Sequence, residues 1–313
     1  MTNDELAGPL RTSAAELAAI SGVARRHWAE PGTGPSDLAR AAALDALAQA
    51  GREPTDVGLI VFATMTPDIA FPGSGCFLQH KLGCDTIGAL DVRAQCAGFL
   101  FALASADRFV RAGAVGPVLV VGGEVYSTAL DLSPRGAAVT PYFGDGAGAL
   151  LLGPAERPGV RAVALHTDPT GLEYFWCEYP SSRHHPARME MEHFDAGLHF
   201  YRLDAGVLHA EATRRLGVVV SEVLERAGVP ADGVALYLLH YLDHRVARRA
   251  ADALGLPPER VVATAEAAGH MGAAGIPIAL ADAVGTGRVG PGDLVCCAAF
   301  GAGLAWGAAV LEF

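Results

Sequence analysis

The sequence is short of positive charge. It carries 23 Lys and Arg against 34 Asp and Glu, a net charge of −11, which argues against non-specific nucleic-acid binding. It has no apolar run of the ~18 residues that would suggest a membrane span. It has no basic, apolar leader either. The opening Met1-Thr2-Asn3-Asp4-Glu5-Leu6 predicts no secretory signal. Six cysteines, at 76, 84, 96, 177, 296 and 297, lack the spacing of metal ligands, and the last two adjoin within an apolar run. The expectation is a reducing, cytoplasmic setting with no disulfide framework and no metal. The glycine-rich run Phe143 to Gly148 contains neither GK[ST] nor GxGxxG, so no nucleotide loop is read there and no cofactor is predicted.

What is present is small and apolar. Of 313 residues, 51% are hydrophobic and 18% charged, with 38 glycines. That composition predicts a large, well-buried α/β core and enough chain for one large or two ordinary domains. Residues 2–30 read as one or two short helices and a basic turn, Arg25-Arg26-His27. Helical periodicity follows over 36–51, then Gly58 to Ala63, apolar on both faces as a buried parallel strand is. A loop with Phe71-Pro72-Gly73, a helix near 77–82, a strand over 86–92 and an Ala-rich helix over 99–110 come next. Further strands are expected at 118–121 and 149–152, the latter opened by Phe143-Gly144-Asp145-Gly146-Ala147-Gly148, and a helix at 208–228. Residues 171–201 form a polar-aromatic insertion whose histidines lack regular ligand spacing; a cap or surface loop is the reading.

The chain repeats itself. Ala48-Gln49-Ala50-Gly51, Pro54 and Asp56 are echoed by Glu225-Arg226-Ala227-Gly228, Pro230 and Asp232. Lys81-Leu82-Gly83 is echoed by Ala253-Leu254-Gly255, and Ala102-Leu103-Ala104-Ser105-Ala106 by Ala279-Leu280-Ala281-Asp282-Ala283. Gly113-Ala114-Val115-Gly116-Pro117 returns as Gly287-Arg288-Val289-Gly290-Pro291. Echoes in the same order argue for an internal duplication, here divided into 1–165 and 166–313, each half strand–helix–strand–helix–strand.

The duplication places the candidate chemistry. Cys96 stands in the turn before the first half's Ala-rich helix. There the helix N-terminus lowers a thiol's pKa, although a small core residue is the alternative reading. The equivalent turn of the second half carries Gly269-His270-Met271-Gly272, and His240 follows a strand where Thr64 does in the first half. Ligands bind beyond the carboxyl ends of parallel strands, so Cys96, His240 and His270 can converge on one pocket.

At Ala94-Gln95-Cys96-Ala97-Gly98-Phe99 the chain resembles the thiolase superfamily, and within it the β-ketoacyl synthase III (ketosynthase III) group. Arg25-Arg26-His27, Phe71-Pro72, Pro134-Arg135-Gly136, Phe143 to Gly148, Phe300-Gly301-Ala302-Gly303 and Trp306-Gly307 extend the resemblance over nearly the whole chain. It implies a five-layer αβαβα thiolase-like fold of two fused halves, usually a homodimer. It implies that Cys96 takes an acyl group from an acyl carrier protein (ACP) or coenzyme A thioester. The backbone N–H groups of Cys96 and Ala302 would be the oxyanion hole, and His240 the active-site histidine. His270 stands where the group has Asn, giving a Cys–His–His set, so His270→Asn is expected to spare acylation and change the second half-reaction. Phe71 lies where one subunit reaches its partner's acyl pocket, and Arg135 and Arg245 are candidate substrate contacts. Glu16 stands where an adenine-stacking Trp is common, Ile20 where an Arg is, and Asp243 where Asn is. The place of the family's usual first strand precedes the sequence.

The implied activity is decarboxylative condensation of the Cys96 acyl group with a malonyl-type thioester, in specialised polyketide or fatty-acid-like metabolism. One alternative is transfer of that acyl group to a hydroxyl or amine. Another is a non-catalytic partner subunit, against which the retention of Cys96 and His240 speaks.

Overall fold

Buried along its whole length, Leu59–Ala63 forms the first strand of the computed structural model, which describes residues 1–157 and 159–313. Two short capped helices, α1 (Asn3–Leu10) and α2 (Ala14–Ser21), precede it, as does α3 (Pro35–Gln49). After that strand, β1, the first half continues with α4 (Ser74–Leu82), β2 (Gly88–Val92), α5 (Gly98–Arg111), β3 (Val118–Glu124) and β4 (Gly146–Leu152). The order in the sheet is β2-β1-β3-β4. β1 runs parallel to β2 and β3, and β4 is antiparallel to β3.

The second half opens with β5 (Val160–Thr167) and an insertion carrying β6 (Phe175–Trp176), α6 (Met191–Asp195) and β7 (Arg202–Leu203). Then come α7 (Ala205–Ala227), β8 (Leu236–His240), α8 (His244–Ala253), β9 (Val261–Ala263), α9 (Gly275–Gly285), β10 (Leu294–Gly301) and β11 (Ala305–Glu312). Its sheet is ordered β9-β8-β10-β11-β5, the same sequence of strands with one more at the end. The duplication is thus visible strand by strand. The expected boundary at 165/166 is corrected, because it cuts β5. That strand pairs antiparallel with β11 from Val160 onwards and belongs wholly to the second half. Among the described residues no strand pairs with the outer edge of β4.

Strand alternation stacks the layers. In β1, Ile60 and Phe62 pack against α3 and α4, while Val61 and Ala63 face α5. In β8, Leu236 and Leu238 face inward to α5 and α9, and Tyr237 and Leu239 face outward to α7 and α8. Neighbouring Cys296 and Cys297 in β10 consequently point to opposite sides and are free thiols. The result is helices, sheet, helices, sheet, helices: the five-layer thiolase-like arrangement. Arg26 of the basic turn is buried as a strut, donating to Asn3 Oδ1 at 2.8 Å and the Pro141 carbonyl at 2.6 Å. No helix is long and apolar enough to cross a membrane among the described residues.

Candidate active site

Cys96 sits in a 3₁₀ turn, Gln95–Ala97, leading into α5. Gln95 holds φ +50°, a left-handed conformation that costs roughly 1–2 kcal/mol in a non-glycine residue. The nucleophile turn packs against the end of β10. A Cβ on Gly301 would lie 2.8 Å from Cys96 Cβ and 2.9 Å from its sulfur, so that strand end has room only for glycine. The next residue, Ala302, directs its backbone N–H to the Cys96 sulfur.

The second half brings two imidazoles. His270 Nε2 lies 3.1 Å from Cys96 Sγ. Its backbone is held by the glycine-rich segment: its N–H donates to the Tyr142 carbonyl at 2.7 Å, and its own carbonyl accepts from Gly144 N–H at 3.0 Å. His240, the last residue of β8, pairs through Nδ1 with the Thr264 hydroxyl just beyond β9. Its Nε2 has no hydrogen-bond partner, and its ring stacks on His270 at 4.6 Å and 17°. Cys96, His240 and His270 therefore meet at one point, the convergence expected from the duplication, and the Ala302 N–H joins them.

The electrostatics differ from the sequence expectation. Burial, then the nearby Glu124 carboxylate, push the Cys96 thiol up to about 12. The rise from burial runs against the lowering expected of a helix terminus and favours the uncharged thiol. Burial also lowers His240 to about 4, and burial, then His240, hold His270 well below its usual range. His270 thus sets a ring nitrogen directly against the sulfur.

The remaining predicted residues lie apart. Phe71 is 87% exposed beyond β1. Arg135 pairs with Asp131 at 3.2 Å and lines a cleft of about 150 Å³ with Tyr201 and Arg202. Arg245 has all its guanidinium nitrogens engaged within the chain, by Asp243 and the carbonyls of Ala19 and Ile20. Glu16 serves as the return arm of a capping box with Ser13. Sequence reasoning missed Thr264 and Glu124. A lone acid closing the apolar run of β3 was the available signal for the second. It also did not anticipate the aromatic wall over His270. There Phe143 meets the imidazole edge-on at 5.5 Å, and Tyr126 and Tyr201 pack against Phe143. Among the described residues no group of three or more His, Cys, Asp or Glu is placed to hold a metal.

A thiolase-type sandwich whose halves jointly enclose a cysteine, two histidines and a backbone donor defines a condensing enzyme, a transferase of acyl thioester chemistry. The comparisons with known proteins narrow this class. Two family models match: 3-oxoacyl-[acyl-carrier-protein (ACP)] synthase III over residues 90–169, and its C-terminal part over 224–313. A β-ketoacyl-[acyl-carrier-protein] synthase III of Methylococcus capsulatus is 36% identical over 313 residues, covering 100% of this chain and 94% of that protein. The crystal structure of the 3-oxoacyl-[acyl-carrier-protein] synthase III of Aquifex aeolicus VF5 superposes with a TM-score of 0.89 at 32% identity, covering 100% and 95% of the two chains. The priming β-ketosynthase of the R1128 polyketide biosynthetic pathway does so with a TM-score of 0.90 at 29% identity, covering 100% and 92%. The chain belongs to the β-ketoacyl-[acyl-carrier-protein] synthase III family.

Proposed function

We propose that this chain loads an acyl group from an acyl-ACP or acyl-coenzyme A thioester onto Cys96. It then condenses that group with a malonyl-type thioester to give a β-ketoacyl product. The observation that carries this reading is the 3.1 Å contact between His270 Nε2 and the Cys96 thiol. As sulfur attacks the thioester carbonyl, its proton passes to His270. The oxyanion accepts from the N–H groups of Cys96 and Ala302, and one such donor is worth roughly 3–4 kcal/mol. Collapse of the adduct expels the carrier thiolate, which takes the proton back from His270 and leaves as a thiol.

In the second half-reaction the C–C bond to the malonyl carboxylate breaks and carbon dioxide leaves. The electron pair becomes an enolate, whose oxygen needs donors. With the Thr264 hydroxyl donating to Nδ1, His240 carries its proton on Nε2, the atom without a partner in the fold. The enolate carbon attacks the acyl carbonyl, and the Cys96 thiolate departs and takes a proton from solvent. The likeness to the R1128 priming ketosynthase supports a place in specialised metabolism. A homodimer is part of the same reading: the exposed Phe71 and the free edge of β2 are one surface for a second copy, because Asp91 in β2 holds the N–H groups of Ser74 and Gly75.

A second reading draws on the same contact. A titratable His270 at the thiol also suits transfer of the acyl group to a hydroxyl or amine without condensation. Intact-protein mass measurement with a panel of ACP and coenzyme A thioesters should show an acyl mass that Cys96→Ala abolishes. Carbon dioxide should then appear on adding a malonyl carrier. Acylation with no carbon dioxide from any malonyl carrier would leave the second reading standing, and an adduct persisting in Cys96→Ala would remove Cys96 from its role.

A further inference from the structure

Glu124 ends β3, and the chemistry above does not use it. It is fully buried. Its carboxylate accepts hydrogen bonds from both halves of the fold. From the first half come the N–H groups of Met65 at 3.0 Å and Thr66 at 3.2 Å, and the hydroxyls of Thr66 at 2.8 Å and Thr64 at 3.3 Å. From the second half comes the N–H of Ala273 at 3.3 Å, in the turn Gly272–Ala274 just past His270. Gly272 itself has φ +49°, and a Cβ there would lie 2.9 Å from Glu124 Oε1 and closer still to the Tyr126 hydroxyl. The carboxylate thus sits in a closed socket in which every element touches another part of the reaction centre.

Burial raises this carboxyl to about 7, and the five convergent donors work against that rise. The titratable groups within its electrostatic reach are Cys96 from the nucleophile turn, Tyr126 from the turn after β3, and Tyr201 from the insertion. No Lys, Arg or His bonds to it among the described residues. Burial raises Glu124 to about 7, so the carboxyl is fully ionised only above that, and there its charge opposes the thiolate with no neutralising partner.

We propose that Glu124 is a positioning residue for the chemistry at Cys96. It pins the second half's turn after His270 to the first half's loop after β1, and so sets the distance between His270 and Cys96 across the seam. The inference rests on the reading of Cys96 as nucleophile. Its second effect is electrostatic: the carboxylate opposes the thiolate, keeping Cys96 protonated until an acyl donor is bound.

Two variants test this, read by thermal melting, by the pH profile of iodoacetamide alkylation at Cys96, and by condensation turnover. In Glu124→Gln the anion is lost and an amide N–H faces the Met65 or Ala273 donor. Its alkylation midpoint should move down by about half a pH unit or more, with turnover lower by about tenfold or more. Glu124→Asp keeps the charge but shortens the reach to Ala273. Its alkylation profile should match the wild type while turnover falls. A folded Glu124→Gln protein with either the wild-type profile or the wild-type turnover overturns the proposal. If Glu124→Gln does not fold, Glu124→Asp decides, and wild-type turnover there overturns it. Should the wild type itself accept no acyl group, the reading of Cys96 fails, and the alkylation profiles alone decide for or against Glu124.

Discussion

Burial raises the Cys96 thiol to about 12, lowers His240 to about 4 and holds His270 below its ordinary range, which favours the uncharged form of all three at neutral pH. In the proposed reaction the proton leaves the thiol as the carbonyl is attacked and passes to His270, which lies against the sulfur. His270→Asn, which removes that acceptor but keeps a donor, is expected to slow Cys96 acylation by about tenfold or more. Stopped-time intact mass measurement would show it, and an unchanged loading rate would return His270 to the second half-reaction alone. His240 also leaves a mark on stability. Its folded value near 4 lies below the ordinary 6.5, so the unfolded chain binds the proton more readily. Stability attributable to it is complete above about 6.5 and is lost as pH falls towards 4, by roughly 3 kcal/mol. Denaturant melts at pH 7.5 and 4.5 should show the loss, and His240→Asn should flatten that part of the profile.

The strand ends and turns explain why these side chains meet. β10 stops against the nucleophile turn, and Gly301 is the point of contact. Gly301→Ala must push Cβ into Cys96, so Cys96 alkylation and acylation should both fall by about tenfold or more while far-ultraviolet circular dichroism stays close to wild type. Retained labelling at wild-type rate would mean the turn yields. Much of this scale was legible beforehand. Two-faced apolar runs marked β1 and β3, and the paired echoes put Cys96 and His270 in corresponding turns, as they are. Contacts that cross between the halves were not legible. The Ala273 N–H on Glu124 depends on how two loops far apart in sequence face each other, and local pattern carries no trace of that distance. The thiol's acidity was misjudged for a similar reason. A helix terminus is visible in sequence, whereas complete enclosure by both halves is a property of the assembled fold.

At the scale of the whole molecule the two halves are equivalent in strand order but unequal at their margins. Among the described residues β11 is flanked by β10 and β5, whereas β4 has only β3 and otherwise faces a groove of about 570 Å³. Leu38, Ala42 and Ala46 of α3 line one wall, and Ile278 and Ala281 of α9 the other. In an antiparallel ladder alternate amides point to opposite neighbours, so every second N–H of Gly146–Leu152 is turned towards this groove. In heavy water the two margins should keep different time. Deuterium should enter the groove-facing amides of β4 quickly while their alternates stay protected, and β11 should resist along its whole length. The isotope pattern would be a two-residue comb on one sheet and a flat line on the other, a record in minutes and hours of where the duplicated architecture stops being symmetrical.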